Sequence, residues 1–149
     1  MELTFKTGEF DDAARVRCAI FMEEQGFCDE FDAADGHPDM IHVTAYDESG
    51  ALVGCARVFP AFLEPNIENV PGRWVFGRLA VFSDRREGGL GSQILAASEV
   101  LAAEAGATEL QLHAQCRVAP FYERAGYEAW GPIEVDEHVE HQWMGKSIS

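Results

Sequence analysis

The sequence predicts an α/β (α+β) fold, with a mixed sheet of about seven strands and helices on both faces. Short segments in which apolar and polar residues alternate are typical of strands, and they recur along the 149 residues. Segments with helical apolar periodicity are interspersed between them. The stretch 74–82 is almost continuously apolar, as a central strand covered on both faces would be.

The elements can be assigned in order along the chain. Residues 2–6 alternate and predict a first strand, and Asp11 and Asp12 begin a helix because carboxylates favour the helix N-terminus. The acidic turn 47–50 predicts a hairpin between its flanking strands. The further predicted strands are 41–46, 52–59, 74–82, 108–114, 127–131 and 140–145, and the further predicted helices are 89–105 and 118–125.

Composition limits the function classes. We expect one domain over residues 1–149. The formal net charge of −15 argues against nucleic acid and anionic membranes, which bind clustered Lys and Arg, but it permits a cationic partner. No apolar run approaches a bilayer span and the first residues lack signal-peptide features, so we expect a cytoplasmic protein. No metal is expected, because the acid-and-His run 136–141 has no second cluster to complete a coordination shell.

The most informative segment is 85–92, which reads RREGGLGS between the apolar strand and an amphipathic helix. Three glycines in four positions let the backbone turn its N–H groups inward, and the helix start adds free amides and a positive dipole end. Four arginines against one aspartate give residues 73–86 a local charge of +3. We predict an anion site suited to a pyrophosphate; an ordinary glycine-rich turn is the alternative.

Two motifs carry a family resemblance. The R-x-x-G-x-G pattern at 86–91 resembles the signature of the GNAT superfamily of acyl-CoA N-acyltransferases, and FYERAGY at 121–127 is similar to its second hallmark. The runs MEEQG at 22–26 and LHAQ at 112–115 further resemble the ElaA-like branch. The order and spacing of the elements match this superfamily along nearly the whole chain.

The resemblance implies where a cofactor binds. It implies a mostly antiparallel sheet in which strand 74–82 splays from strand 108–114, with acetyl-CoA in the resulting cleft. Gln115 departs from the asparagine that many members carry there. The implied cofactor contacts are Leu79, Ala80, Val81, Arg86, Glu87, Gly88, Gly89, Leu90, Gly91, Ser92, Gln115, Phe121 and Tyr122.

The resemblance also implies the reaction, which is acetyl transfer to a primary amine by direct attack in a ternary complex. Tyr122 stands where the family often places the acid that protonates the thiolate. Glu24 is the leading candidate for the base, and His141 is the rival base or a proton relay. A satisfied buried tyrosine, a solvated acidic face and a structural histidine are the respective alternatives. His42 and His113 point either into the cleft or into the core.

We expect the acceptor to be a small-molecule or peptide amine. The acidic stretches 23–35 and 134–140 indicate a cationic acceptor, whereas the arginines should gather at the cofactor end. A homodimer is compatible with the sequence. Two other functions remain: a non-catalytic acyl-CoA-binding module and, less favoured, an acyl-homoserine-lactone synthase, whose acidic carrier protein should meet a basic surface.

Overall fold

A computed structural model describes residues 2–86 and 88–149. Its strands are β1 (Thr4–Thr7), β2 (Ile41–Tyr46), β3 (Leu52–Pro60), β4 (Arg73–Val81), β5 (Glu109–Gln115), β6 (Glu128–Asp136) and β7 (Val139–Ser147). Its α-helices are α1 (Phe10–Arg17), α2 (Leu90–Glu104) and α3 (Ala119–Arg124), and a π-helical segment, Cys18–Glu24, continues α1.

The strands form one mixed sheet in the order β1-β2-β3-β4-β5-β7-β6. Strands β4 and β5 run parallel, and the other neighbouring strands are antiparallel. The predicted fold class is therefore confirmed. The largest difference is in the last hairpin, where β6 extends to Asp136 rather than ending near residue 131. Gly131 and Pro132 break the alternating pattern, but β6 resumes its pairing at Glu134 after a register shift.

Both faces of the sheet are covered, which explains the apolar run in β4. On one face, here called the α2 face, Ile94 of α2 joins Phe76, Leu112 and Tyr122 in the main core. On the opposite face, the α1 face, α1 and the π-helical segment pack on the sheet, with Val16 and other apolar residues against Cys55 and Ala80. No helix in the described residues is long and apolar enough to cross a membrane.

A buried ion-pair network fixes the segment between the π-helical turn and β2 to the α1 face. Arg17, which is only 1% exposed, pairs with Glu30 at 2.8 Å and with Asp35 at 2.7 Å. Arg57 of β3 also reaches Asp35 at 2.7 Å. Burial opposes the ionisation of Asp35, but its hydrogen bond from Arg17 and the nearby charges outweigh burial and hold its pKa well below the usual range. The network thereby positions one wall of the cleft described next.

Candidate active site

A cleft opens where β4 and β5 separate. The two strands pair from Arg73 and Glu109 as far as Phe76 and Leu112, and no further. Two residues later, Arg78 has a φ of 55°, which is unusual for a non-glycine residue and accompanies a register shift against β3. The cleft has a volume of about 620 Å³, within the range of small-molecule sites. The predicted splay of the central strands is confirmed.

The glycine-rich loop forms one end of this cleft. Gly89 is the N-cap of α2 with a φ of 72°, and Gly88 has a φ of 89°, so both need the left-handed conformation that glycine adopts without strain. The first residues of α2, Leu90 to Ser92, line the cleft with Gly89. A fifteen-residue helix therefore presents free backbone amides and its positive dipole end to the cleft. Glu87, a predicted cofactor contact, lies outside the described residues.

The arginines expected at this end are mostly neutralised by partners elsewhere. Arg73 lies at the opposite end of β4, 3.1 Å from Glu109. Arg85 pairs with Asp47 at 2.8 Å. Of the arginines in residues 73–86, Arg86 lies beside the glycine-rich loop. The local charge of +3 was therefore a misleading guide to the potential of the loop, because the partners come from distant parts of the chain.

Two other arginines supply positive charge to the cleft. Arg117, directly after β5, and Arg124, in α3, both line the cleft. Neither has a carboxylate partner within ion-pair distance among residues 2–86 and 88–149. Sequence reasoning singled out neither as a candidate anion ligand, although Arg124 lies inside the 121–127 motif. Arg117 and Arg124 therefore add positive charge to the cleft, whereas Arg86 is paired with a carboxylate, that of Glu24.

Tyr122 lies on the α2 face of the cleft. It is 8% exposed, and its ring contacts Phe76 edge-on at a centroid distance of 6.4 Å. Burial raises the pKa of its phenol above the usual value of about 10. The hydroxyl therefore stays protonated at neutral pH and has no hydrogen-bond partner in the described part of the chain. Phe121 also lines the cleft beside it.

His141 and His113 line the α1 face of the same cleft. Their rings stack at a centroid distance of 4.9 Å, because β5 and β7 pair side by side, and Trp143 stacks on the other side of His113 at 4.8 Å. His141 Nδ1 lies 3.0 Å from the Val139 carbonyl oxygen, so the N–H on Nδ1 donates this bond and Nε2 is the ring nitrogen left for other contacts.

The surroundings of His113 favour its neutral form. Burial lowers the pKa of His113, and the neighbouring His141 lowers it further. Its Nε2 is 3.4 Å from a Glu134 carboxylate oxygen, within ion-pair distance but without hydrogen-bond geometry. Glu134 is about half exposed, so water weakens its attraction for a proton on His113. His113, whose surroundings favour its neutral form, thus stacks on His141 beside the cleft.

Glu24 occupies a different place from the other candidate catalytic residues. It ends the π-helical segment, and its carboxylate holds Arg86 Nη2 at 2.8 and 3.0 Å. Its side chain is 38% exposed, and it is not among the described residues that line the cleft. The structure therefore brings Tyr122 and His141 to one cleft, whereas Glu24 lies at the rim beside the glycine-rich loop.

The segment that follows Glu24 spans the cleft, because Glu30 pairs with Arg78 of β4 and two further contacts reach the side of β5 and β6. Gln25 accepts a hydrogen bond from Gln115 Nε2 at the end of β5, at 2.8 Å. The Cys28 amide donates to the Glu137 carboxylate at 2.9 Å, in the turn between β6 and β7. Gln115, a predicted cofactor contact, thus binds a side chain of the opposite wall. Sequence reasoning missed Gln25, whose contact spans 90 positions.

The end of the cleft opposite the glycine-rich loop is acidic. Asp29, Glu30, Asp136 and Glu137 all line it. Glu30 is already paired with Arg17 and with Arg78, the latter at 2.8 Å. The remaining carboxylates create a negative potential near the two histidines, whereas the arginines lie at the other end. The two ends suit ligands of opposite charge.

Comparison with known proteins places the chain in a family. Residues 38–129, more than half of the chain, match the family described as the acetyltransferase (GNAT) domain. A Bacillus subtilis (strain 168) protein, provisionally named as an acetyltransferase, is 34% identical over 137 residues that cover 90% of this chain and 86% of the relative. The chain belongs to the GNAT acetyltransferase family.

Solved structures show the same fold. Escherichia coli ElaA superposes with a TM-score of 0.82 at 18% identity, covering 98% of this chain and 100% of that one. An aminoglycoside 6′-N-acetyltransferase complexed with coenzyme A has a TM-score of 0.75 at 18% identity, covering 100% and 98%. The CoA-dependent acyl-homoserine lactone synthase BjaI has a TM-score of 0.77 at 22% identity, covering 94% and 76%. At these identities the likeness shows the fold alone.

Proposed function

We propose that this protein transfers an acetyl group from acetyl-CoA to a primary amine, by direct attack of the amine on the thioester. The observation that carries the proposal is one cleft that joins the N-terminus of α2 to the buried phenol of Tyr122 and the imidazole of His141. The helix N-terminus suits a pyrophosphate, and the phenol and the imidazole suit proton transfer at a thioester. The 149 residues would work as one cytoplasmic domain, as a monomer or a homodimer.

The cofactor would lie along β4. The amides of Gly88 to Ser92 and the guanidinium of Arg86 would bind the pyrophosphate. Arg117 and Arg124, on the opposite wall of the cleft, would contact it from the other side. Ala80 and Val81 pair with β3 on one side, and β5 has already separated on the other. The backbone groups of β4 on this open side can bond the amides of the pantetheine arm as a neighbouring strand would. Phe121 and the backbone of Ala80 would complete this wall.

His141 is the better-placed base. The attacking ammonium first releases one proton to water, because it has no lone pair. Its neutral nitrogen then attacks the thioester carbonyl carbon, a C–N bond forms, and an N–H proton passes to Nε2 of His141. As the C–S bond breaks, Tyr122 donates its hydroxyl proton to the departing sulfur. The products are the acetylated amine and free CoA thiol, and both side chains return to their starting protonation by exchange with water.

Glu24 remains a second candidate for the base, but its present contacts count against it. Its carboxylate would have to leave Arg86, to which it makes two contacts, before it could accept a proton inside the cleft. Its carboxylate would instead compete with the pyrophosphate for the guanidinium of Arg86. We therefore assign the base to His141.

The acceptor would be a cationic small-molecule or peptide amine. Asp29, Asp136 and Glu137 would attract it to the histidine end, and the arginines would hold the phosphates at the other. An aminoglycoside-type amine, the class named for one structural neighbour, fits this charge pattern. A lactone-synthase reaction has only the fold likeness in its favour. A non-catalytic CoA-binding module would leave the phenol and imidazole without a role.

A panel of amines with acetyl-CoA tests the proposal. Thiol release should require an amine, and it should be faster with cationic acceptors than with neutral or acidic ones of similar size. For a cationic acceptor, kcat/KM should fall as salt rises, because the screening length shrinks to about 8 Å at physiological ionic strength. Thiol release that no amine on the panel accelerates would contradict the proposed transfer. Neutral or acidic acceptors that react best, with no effect of salt, would contradict the cationic acceptor.

A further inference from the structure

Gly77 occupies a position where glycine is costly and has no structural purpose. It lies within the central strand β4, where a missing side chain weakens the strand. A Cβ atom built at Gly77 would meet no heavy atom within 4 Å, and its φ is not left-handed. By contrast, a Cβ at Gly54 would lie 2.6 Å from the Ala80 carbonyl oxygen, so packing requires that glycine. Neither backbone conformation nor packing requires glycine at position 77.

The position of Gly77 points to a ligand. It is the first residue of β4 beyond the last pair with β5, Phe76 and Leu112, so it lies at the apex of the splay. Its cross-strand partner is Arg57, whose side chain reaches carboxylates on the α1 face. Gly77 therefore faces the α1 side and lines the cleft there. A glycine inside a strand often marks a bulge or the close approach of a ligand or another backbone. A register shift does lie beside Gly77, but its φ is not left-handed, and the space over it within the cleft points to a ligand.

The α1 side is the acceptor side of the proposed reaction. His113 and His141 lie on this face, whereas Tyr122 and the start of α2 lie on the other. The phosphates of CoA would bind at the start of α2, and its pantetheine arm would follow the backbone edge of β4 rather than the face. The open space above Gly77 is thus continuous with the end of the cleft that contains the histidines and carboxylates.

We propose that Gly77 is a specificity-determining residue for the acceptor, because its missing side chain leaves room for the carbon atoms next to the attacking nitrogen. This inference rests on the proposed acetyl transfer. A methyl group at this position would occupy space that the acceptor needs and would leave the CoA contacts intact. The effect should be greater for amines that are branched at the carbon bearing the nitrogen than for linear amines.

Gly77→Ala and Gly77→Val test the inference, with Gly36→Ala as the matched control. A Cβ at Gly36 also meets nothing within 4 Å, and that residue does not line the cleft. We expect both Gly77 variants to melt at or above the wild-type temperature and to keep the CoA-induced shift. For a branched amine, kcat/KM should fall by about tenfold or more with alanine and further with valine. The control should match wild type in every measurement.

Three results would overturn the inference. A lower melting temperature for Gly77→Ala would show that glycine is needed by the fold, and loss of the CoA-induced shift would show that the cofactor passes over it. Unchanged kinetics with branched amines would show that the space stays empty. If wild type acetylates no amine, the proposed transfer is wrong. Thermal melts with CoA plus an amine then test separately whether Gly77 leaves room for the amine. An amine-induced shift that Gly77→Val loses supports the inference; no shift in wild type overturns it.

Discussion

Replacement of Tyr122 by phenylalanine removes one hydroxyl and leaves the rest of the side chain in place. The ring contacts Phe76, Phe121 and Tyr127 at centroid distances of 6.4, 5.0 and 6.0 Å, and phenylalanine keeps all three contacts. Because no described residue bonds the hydroxyl, the free energy of unfolding should change by less than about 1 kcal/mol. The change therefore isolates the proton that Tyr122 would donate.

The expected loss is in the chemical step. General acid catalysis contributes about 10²–10⁴-fold, which is about 3–5 kcal/mol of activation free energy at 25 °C. An acid acts in the transition state, so kcat should fall by this factor and KM for acetyl-CoA should stay nearly constant. Steady-state thiol release with a reactive amine, together with thermal melts of the same preparations, measures both quantities.

Tyr127→Phe is the matched control. Tyr127 is also buried, but its hydroxyl donates to Glu99 at 2.7 Å, on the side of the core away from the cleft. Its loss should lower the free energy of unfolding by about 1.5–3 kcal/mol, as for hydrogen bonds to charged groups, and leave kcat within a factor of two. A Tyr122→Phe variant that retains half or more of wild-type kcat would remove Tyr122 from the mechanism.

The other predictions concern the loop, the base and the buried network. At one hundred times Kd, CoA should add about 2.7 kcal/mol to the free energy of unfolding. In thermal melts, Gly91→Asp should abolish this gain, because its carboxylate would face the phosphates. The control Gly36→Asp should keep the gain. His141→Gln should lower kcat by about 10²-fold or more in the thiol-release assay, and a variant within a factor of two of wild type would remove His141 from the mechanism. Glu24→Gln should keep kcat within about threefold and lower KM for acetyl-CoA, because its carboxylate competes with the pyrophosphate; the reverse pattern would make Glu24 the base. Asp35 has a depressed pKa in the folded state, so the stability it contributes is present above its ordinary pKa of about 3.9 and is lost as pH falls. Asp35→Asn should cost about 3–5 kcal/mol at pH 7 and flatten the acid side of the stability profile, measured by denaturant titration between about pH 2 and 7; an unchanged profile would contradict the assigned pKa.

The sequence predicted the elements well, because each has a strong local pattern. The alternation of Leu110, Leu112 and Ala114 with polar residues correctly predicts a strand, with these three side chains in the main core. The same alternation places His113 on the opposite face. It does not say that β7 is the neighbour, so the stacking of His113 on His141 appears only once β5 and β7 pair. Local periodicity determines which way a side chain points, and topology determines what it meets.

The charge pattern of the sequence was a weaker guide. It placed Glu24 on the acceptor side, whereas the structure pairs it with Arg86, which lies 62 positions away along the chain. Likewise, Arg73 and Arg85 counted toward a cationic loop but pair with carboxylates outside it. Charge counts along the chain contain no information on pairing, because the partners are brought together only by the tertiary fold.

Direct detection of the product tests the central claim. Wild-type protein should convert a reactive cationic amine and acetyl-CoA into the acetylated amine and free CoA in equal amounts, quantified by mass spectrometry and thiol titration of the same samples. The double variant of Tyr122→Phe and His141→Gln should bind CoA with the same thermal shift and form product at least about 10²-fold more slowly. Stabilisation of wild type by CoA without any acetylated amine, or product formation by the double variant at the wild-type rate, would contradict the account.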